Sequence, residues 1–197
     1  MAGVRRPQAP EAPGISPAAG QKPRPYENFQ RRLPHWDVIG QPLFVTFRLH
    51  GSLPQGRAFP PELTGGLLDQ AAQGPTFLRR PDIASLVVQA LHDGQDRFHR
   101  YQLHAFVVMS NHVHLLATGS VALHRWLRPL KGFTGYEANR ILSQHGAFWQ
   151  EESYDHLLRK QDEFERIKKY IEWNPVKAGL AASPEKYPWS SASTASF

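Results

Sequence analysis

Phe106-Val107-Val108-Met109-Ser110-Asn111-His112-Val113-His114-Leu115-Leu116 is the stretch on which the fold turns. Apolar and β-branched residues flank a Ser-Asn turn, which predicts two strands, at 101–109 and 112–118, joined as a hairpin. Residues two apart in a strand point to one face. His112 and His114 therefore share a face and can converge on one ion, while Val113 turns to the core.

A second stretch, Tyr170-Ile171-Glu172-Trp173-Asn174-Pro175, lies towards the end of a helical pattern. Tyr170 and Asn174 are four residues apart and fall on one helix face. Two imidazoles, an amide and a phenol brought together make a metal-assisted site with a tyrosine nucleophile, which is chemistry for phosphodiesters. Each residue also has a plainer reading. The histidines can be half-buried and hydrogen-bonded to neighbours, and Tyr170 can be an amphipathic-helix tyrosine with a wet hydroxyl. Asn174, before Pro175, reads as an N-cap followed by a proline at N1 and a stop at Gly179. Cap and ligand are compatible roles for an amide.

Outward from these segments, 43–49 is a strand, 51–61 and 74–80 are loops, and a weak helix is expected between them around 61–73. Asp82 is expected to cap a helix whose Ile83, Leu86, Val87, Ala90 and Leu91 recur at helical spacing. Ser120 is expected to cap the next, with Leu123, Leu127, Leu130, Ala138 and Ile141 on one side and Pro129 kinking or splitting it. The stretch 148–159 is strand-like. Asp162 opens the last helix, in which Phe164, Ile167 and Ile171 face the core and Tyr170 and Asn174 lie on the shoulder of the apolar stripe. This order predicts an α+β ferredoxin-like sandwich, an antiparallel sheet with the histidines on its central strands and the helices on one face.

The chain has 197 residues, enough for one domain, and its 41% hydrophobic content and five tryptophans supply a core. The basic Pro/Ala-rich segment 1–32 cannot bury enough apolar surface to order itself and is either a plain tail or an arm that settles on phosphates, which leaves 33–197 as the folded domain. A formal net charge of +6 favours an anionic partner, nucleic acid before membrane surface. With no cysteine, disulfides, thiolate metal sites and cysteine nucleophiles are excluded. No apolar run approaches the ~20 residues of a membrane span, and the N-terminus lacks a signal peptide's apolar centre, so a cytoplasmic protein is expected. No glycine loop for nucleotide phosphates is present. Of the histidines outside the 112–114 pair, only His104 and His156 are candidates for anything beyond a surface or structural role.

The 106–116 stretch closely resembles the HUH (histidine-hydrophobe-histidine) signature of single-tyrosine transposases. Trp149-Gln150, then Tyr154-Asp155-His156, then Tyr170-Ile171 with Asn174-Pro175 and Lys177-Ala178-Gly179-Leu180, and finally Trp189-Ser190-Ser191 follow at spacings similar to the REP-associated tyrosine transposase branch. Phe44-Val45-Thr46-Phe47-Arg48-Leu49 resembles that branch's first strand, so the likeness runs from about residue 33 to the C-terminus. Insertion-sequence relatives carry glutamine where this chain has Asn174, and many relatives have proline at Ser110.

The resemblance implies the HUH endonuclease fold and cleavage and rejoining of single-stranded DNA. Its metal ligands would be His112, His114 and Asn174, a donor set with open positions that suits Mg²⁺ or Mn²⁺ better than Zn²⁺. Tyr170 would attack phosphorus to give a 5′-phosphotyrosine and a free 3′-hydroxyl, with Tyr154 the next candidate nucleophile. The metal and one of Arg166, Lys169 or Lys177 would favour the phenolate, and the sequence does not choose among the three. Arg48, Arg125, Arg128, Trp149, Arg166, Lys169 and Lys177 are candidate DNA contacts; Trp126, Trp149, Trp173 and Trp189 could stack bases, with core packing the plainer reading of most of them. The partner would be single-stranded or hairpin DNA, a REP-like palindrome on the bacterial nucleoid, bound by a monomer rather than a homodimer. A non-catalytic nucleic-acid-binding domain and a metal-dependent phosphoesterase using water are the competing readings.

Overall fold

The structure is a computed structural model and describes residues 38–52 and 74–194. The basic arm at 1–32 and the helix expected at 61–73 lie outside the described residues. Four strands and three helices follow in the order β1 (Pro42–Arg48), α1 (Pro81–Asp96), β2 (Tyr101–Val108), β3 (His112–Gly119), α2 (Leu123–Leu142), β4 (Tyr154–Leu157) and α3 (Gln161–Lys177). The sheet runs β2-β3-β1-β4 with every neighbouring pair antiparallel. The strand carrying both histidines is thus central, as expected for an α+β sandwich.

Alternation along β1 sorts the core into two layers. Leu43, Val45 and Phe47 pack with Ile83, Val87 and Leu91 of α1 and with Trp126, Leu127 and Leu130 of α2. Phe44 turns the other way and packs with Leu116, Val107 and Ile171, against which Phe164, Ile167 and Tyr170 of α3 lie. The expectation that the helices share one face therefore holds for α1 and α2 only, and α3 covers the opposite face. The cause lies in β1, which is buried on both sides: from Leu43 to Arg48 every residue is buried, and one layer of helices cannot cover both faces.

The helices differ in how firmly they are set. Seven residues of α1 and seven of α2 are buried, against three of α3, namely Ile171, Asn174 and Pro175. At roughly 1.5–3 kcal/mol for each large apolar side chain buried, α3 is the helix held most lightly to the sheet.

Several local expectations shift for identifiable reasons. Pro81 occupies the first turn of α1, which moves the N-cap back to Arg80, and the Asp82 carboxylate instead accepts from the Ile83 N–H at 3.0 Å. The N-cap of α2 is Ala122 rather than Ser120. Pro129 does not split α2, which is assigned as one helix from Leu123 to Leu142. Pro129 and Arg125, whose carbonyl loses its partner to the proline, are both exposed, so water can take up the freed acceptor. Pro175 likewise lies inside α3, so Asn174 is an interior helical residue and not an N-cap. Gly179, at φ +70°, ends the run as expected. Of the strand-like 148–159, only Tyr154–Leu157 forms β4, while Trp149 makes a single bridge to Leu49.

The Trp189-Ser190-Ser191 segment lies along the outer edge of β2. The Val108 N–H donates to the Trp189 carbonyl at 2.8 Å, and the Ser191 N–H donates to the Phe106 carbonyl at 3.0 Å. The Ser191 hydroxyl oxygen accepts from the Phe106 N–H at 3.0 Å, and the buried Tyr187 hydroxyl donates to the Val108 carbonyl at 2.8 Å. Among the described residues no helix is long and apolar enough to cross a membrane.

Candidate active site

The antiparallel register places Thr46 opposite His114 and Arg48 opposite His112. Period-two alternation puts all four side chains on the face that α3 covers. His112 is 3% exposed and His114 0%. Their Nε2 atoms meet at 3.1 Å. Each Nδ1 is engaged on its far side: His112 Nδ1 lies 2.8 Å from Asn111 Oδ1, and His114 Nδ1 lies 2.7 Å from Thr46 Oγ1. The rings are thus anchored by neighbours at one nitrogen and converge at the other. Outer-shell hydrogen bonds of this kind fix the orientation of metal-binding imidazoles.

Phe44 is the hub of the layer. Its ring stacks on His114 (5.4 Å, 30°) and meets Tyr170 (6.1 Å, 86°) and Tyr154 (6.2 Å, 68°) edge-on. Tyr170 itself stands against His114, with ring centroids 5.5 Å apart at 60°. Helix α3 therefore sets the Tyr170 ring against His114 of its own chain. Asn174 is one turn further along α3 and buried at 5% exposure. The Lys177 ammonium lies 5.5 Å from the centre of the Tyr170 ring.

The residues present fit a hard divalent cation. Two imidazole nitrogens converge, and an amide sits on the facing helix. Among the described residues no group of three His, Cys, Asp or Glu forms a closed cage. Such a site leaves positions for water or phosphate oxygens.

The candidate DNA contacts are dispersed. Arg48, 1% exposed, sits beside the histidines across from His112. Arg166, Lys169 and Lys177 are exposed on α3, and Arg166 comes within 4.0 Å of Glu163. Arg125 and Arg128 are exposed on α2, which packs against the other face of the sheet, so they are not gathered at the histidine pair. Trp149 is a core residue. Its indole N–H donates to Thr134 Oγ1 at 2.9 Å, and its ring packs edge-on to Phe47 and Phe148, so it offers no open face to a base. Trp126 is likewise buried. Among the described residues the exposed aromatics are Phe98, Phe133, Tyr136 and Trp173. The first three were not anticipated, although Phe133 and Tyr136 lie off the Leu123-Leu127-Leu130 stripe and helical spacing alone exposes them. Thr46, Asn111 and Phe44 were also missed as site residues. Asn111 adjoins His112 in sequence, but Thr46 and Phe44 become neighbours of His114 only through strand pairing.

His104 and His156 are structural. His104 hydrogen-bonds the Thr118 hydroxyl at 2.8 Å, and burial, helped by the Lys168 charge, holds its pKa below the usual imidazole range. His156 bonds Glu163 at 2.8 Å and ties β4 to the first turn of α3, and this bond lowers the Glu163 carboxyl pKa. The Tyr154 phenol is pushed up by burial and by the charges of Asp155 and Glu163, which makes it a poor nucleophile near neutrality.

From residue 81 to 174 the chain matches the family described as "Transposase IS200 like". Among solved structures it is similar to a REP-associated tyrosine transposase bound to a REP hairpin, at 17% identity and a TM-score of 0.57, over 82% of each chain. At that identity the likeness carries the fold. No curated protein matches the chain in sequence.

Proposed function

Starting from its kinship with the IS200-like transposases, we propose that this chain is a metal-dependent enzyme that nicks and rejoins single-stranded DNA through Tyr170. The observation that carries this is the approach of the Tyr170 ring to within 5.5 Å of an imidazole whose Nε2 already converges with that of its neighbour.

His112, His114 and Asn174 would hold the cation, Mg²⁺ or Mn²⁺, which when bound polarises a non-bridging oxygen of the scissile phosphate. Tyr170 attacks phosphorus through its phenolic oxygen. The new bond joins tyrosine to the 5′-phosphate, the bond from phosphorus to the 3′-oxygen breaks, and the 3′-oxygen leaves as a hydroxyl after taking up a proton. Attack by another 3′-hydroxyl on the phosphotyrosine reverses the step and frees Tyr170. The phosphodiester energy is kept in the covalent link, so no nucleotide is consumed. Lys177 beside the ring favours the phenolate, and Arg48 beside His112 favours a bound phosphate.

A REP-like hairpin with a single-stranded flank is the proposed substrate, supported by the hairpin bound to the structural neighbour. One copy suffices on this reading, because Tyr170 approaches the histidines of its own chain. The test is incubation with Mn²⁺ and a 5′-extended hairpin oligonucleotide, followed by denaturing electrophoresis. An SDS-resistant protein–DNA band that Tyr170→Phe abolishes is the expected result. A band that persists in that variant moves the nucleophile elsewhere. Binding without any band leaves a nucleic-acid-binding domain, and multiple-turnover cleavage without a band leaves a phosphoesterase.

A further inference from the structure

The structure separates the four tryptophans that the sequence offers as base platforms. Trp126 and Trp149 are buried, and Trp189 is half-buried and packs against both apolar layers. Of the four, only Trp173 is exposed, at 43%. A single exposed hydrophobe is ordinary on a protein surface. Its neighbours set this one apart.

Residues three and four apart on a helix are adjacent. On α3, Trp173 therefore stands beside Tyr170 and has Lys169 one turn before it and Lys177 one turn after, both exposed. The Tyr170 ring stands 5.5 Å from that of His114, and the Lys177 ammonium lies 5.5 Å from the centre of the Tyr170 ring. From Arg166 to Lys177 the helix carries Arg166, Lys168, Lys169 and Lys177 against one carboxylate, Glu172. The helix dipole accounts for cations towards this end, but it gives an indole no reason to face water.

We propose that Trp173 is the base platform of the site: its indole stacks on a base within two nucleotides of the scissile phosphate, while Lys169 and Lys177 hold the phosphates on either side of that base. Stacking of this kind suits a single strand, because every base has a π-face and a duplex keeps it covered. The flanking ammonium groups complement the backbone charge and read no sequence. With platform and nucleophile on one helix, a base held by Trp173 sets its phosphate about one turn from Tyr170. This role rests on the nicking and rejoining proposed above.

The test uses the full-length protein and a 5′-extended hairpin oligonucleotide, with affinity read by fluorescence anisotropy and adduct formation read with Mn²⁺. Trp173→Ala should weaken binding about 5- to 100-fold, the range for one lost stacked base, and Trp173→Phe should recover most of that loss. The indole carries no charge, so the slope of affinity against salt should be unchanged in Trp173→Ala and shallower in Lys169→Gln. Abasic sites placed one at a time should weaken native binding at a position within two nucleotides of the cleaved bond. That same site should cost nothing further in Trp173→Ala, whereas a merely structural tryptophan leaves every position additive. Circular dichroism melting checks that each variant is folded, and Trp173→Phe with the same abasic series decides if the alanine variant is not. Native affinity and adduct rate in folded Trp173→Ala, or additive losses at every abasic position, sink the role of Trp173 and leave the nicking enzyme standing. A native protein that forms no adduct sinks both.

Discussion

The Tyr170 and His114 rings stand 5.5 Å apart, centroid to centroid, though 56 positions separate them in sequence and one lies on a helix and the other on a central strand. Phe44 touches both and fixes the distance between them.

Replacing Tyr170 by Phe removes one oxygen from a half-buried ring and leaves its packing on Phe44 and His114. Covalent adduct formation should fall by at least about 10³-fold, as expected when a nucleophile is deleted. Hairpin affinity, read by fluorescence anisotropy, should stay within about twofold, since the remaining contacts persist.

Chelation should abolish the adduct without unfolding the chain. Neither core layer depends on a cation, because both are built from apolar side chains. The melting temperature with EDTA should therefore stay close to that of the untreated protein. A cooperative loss of helix signal on chelation would make the metal structural instead.

Trp149→Ala should act through stability. Its ring fills the layer between β1 and α2, and its N–H bonds Thr134, so truncation should cost about 3–5 kcal/mol in urea unfolding. The folded fraction should retain native DNA affinity. A large drop in affinity with unchanged stability would restore Trp149 as a base-stacking residue.

The buried phenol of Tyr187, its pKa pushed up to about 12 from the ordinary 10, makes the fold sensitive to alkali. The folded state holds this proton more tightly than the unfolded state does. Stability is then fully present below about pH 10 and lost as pH rises towards 12, by up to about 3 kcal/mol. Burial shifts Tyr101 the same way. Urea midpoints at pH 9 and pH 11 should show the fall, and Tyr187→Phe should reduce it.

Lys177→Gln removes the cation beside the Tyr170 ring. Single-turnover cleavage should slow by up to about tenfold at neutral pH, with the loss shrinking as pH rises and phenolate forms unaided. A uniform loss at every pH would assign Lys177 to binding the DNA phosphate instead.

Short-range periodicity makes much of this molecule legible from its residues alone. His112 and His114 share a face because strands repeat every two residues, and Tyr170 and Asn174 share one because helices repeat near every four. The ordered motifs from Phe44 to Ser191 carry the rest of the family likeness. What stays hidden depends on pairing across the sheet. Nothing local in Val45-Thr46-Phe47 says that Thr46 will face His114. The placement of α3 opposite α1 and α2 follows from β1 being buried on both sides, which a run of apolar residues shows but does not assign to particular helices. In sequence Trp149 reads either as a core residue or as a stacking platform, and its burial beside the bridge to Leu49 decides for the core. Pro175 has the marks of a helix boundary, yet α3 carries it in its last turn.

The Trp189–Ser191 segment covers the outer edge of β2 at Phe106 and Val108. On the β2 side the backbone groups of Phe106 and Val108 are already taken by the chain's own tail. On the β4 side the strand has only four residues. Shortening the chain before Trp189 would uncover the backbone groups of Phe106 and Val108 and give neighbouring molecules a ready template for edge-to-edge stacking.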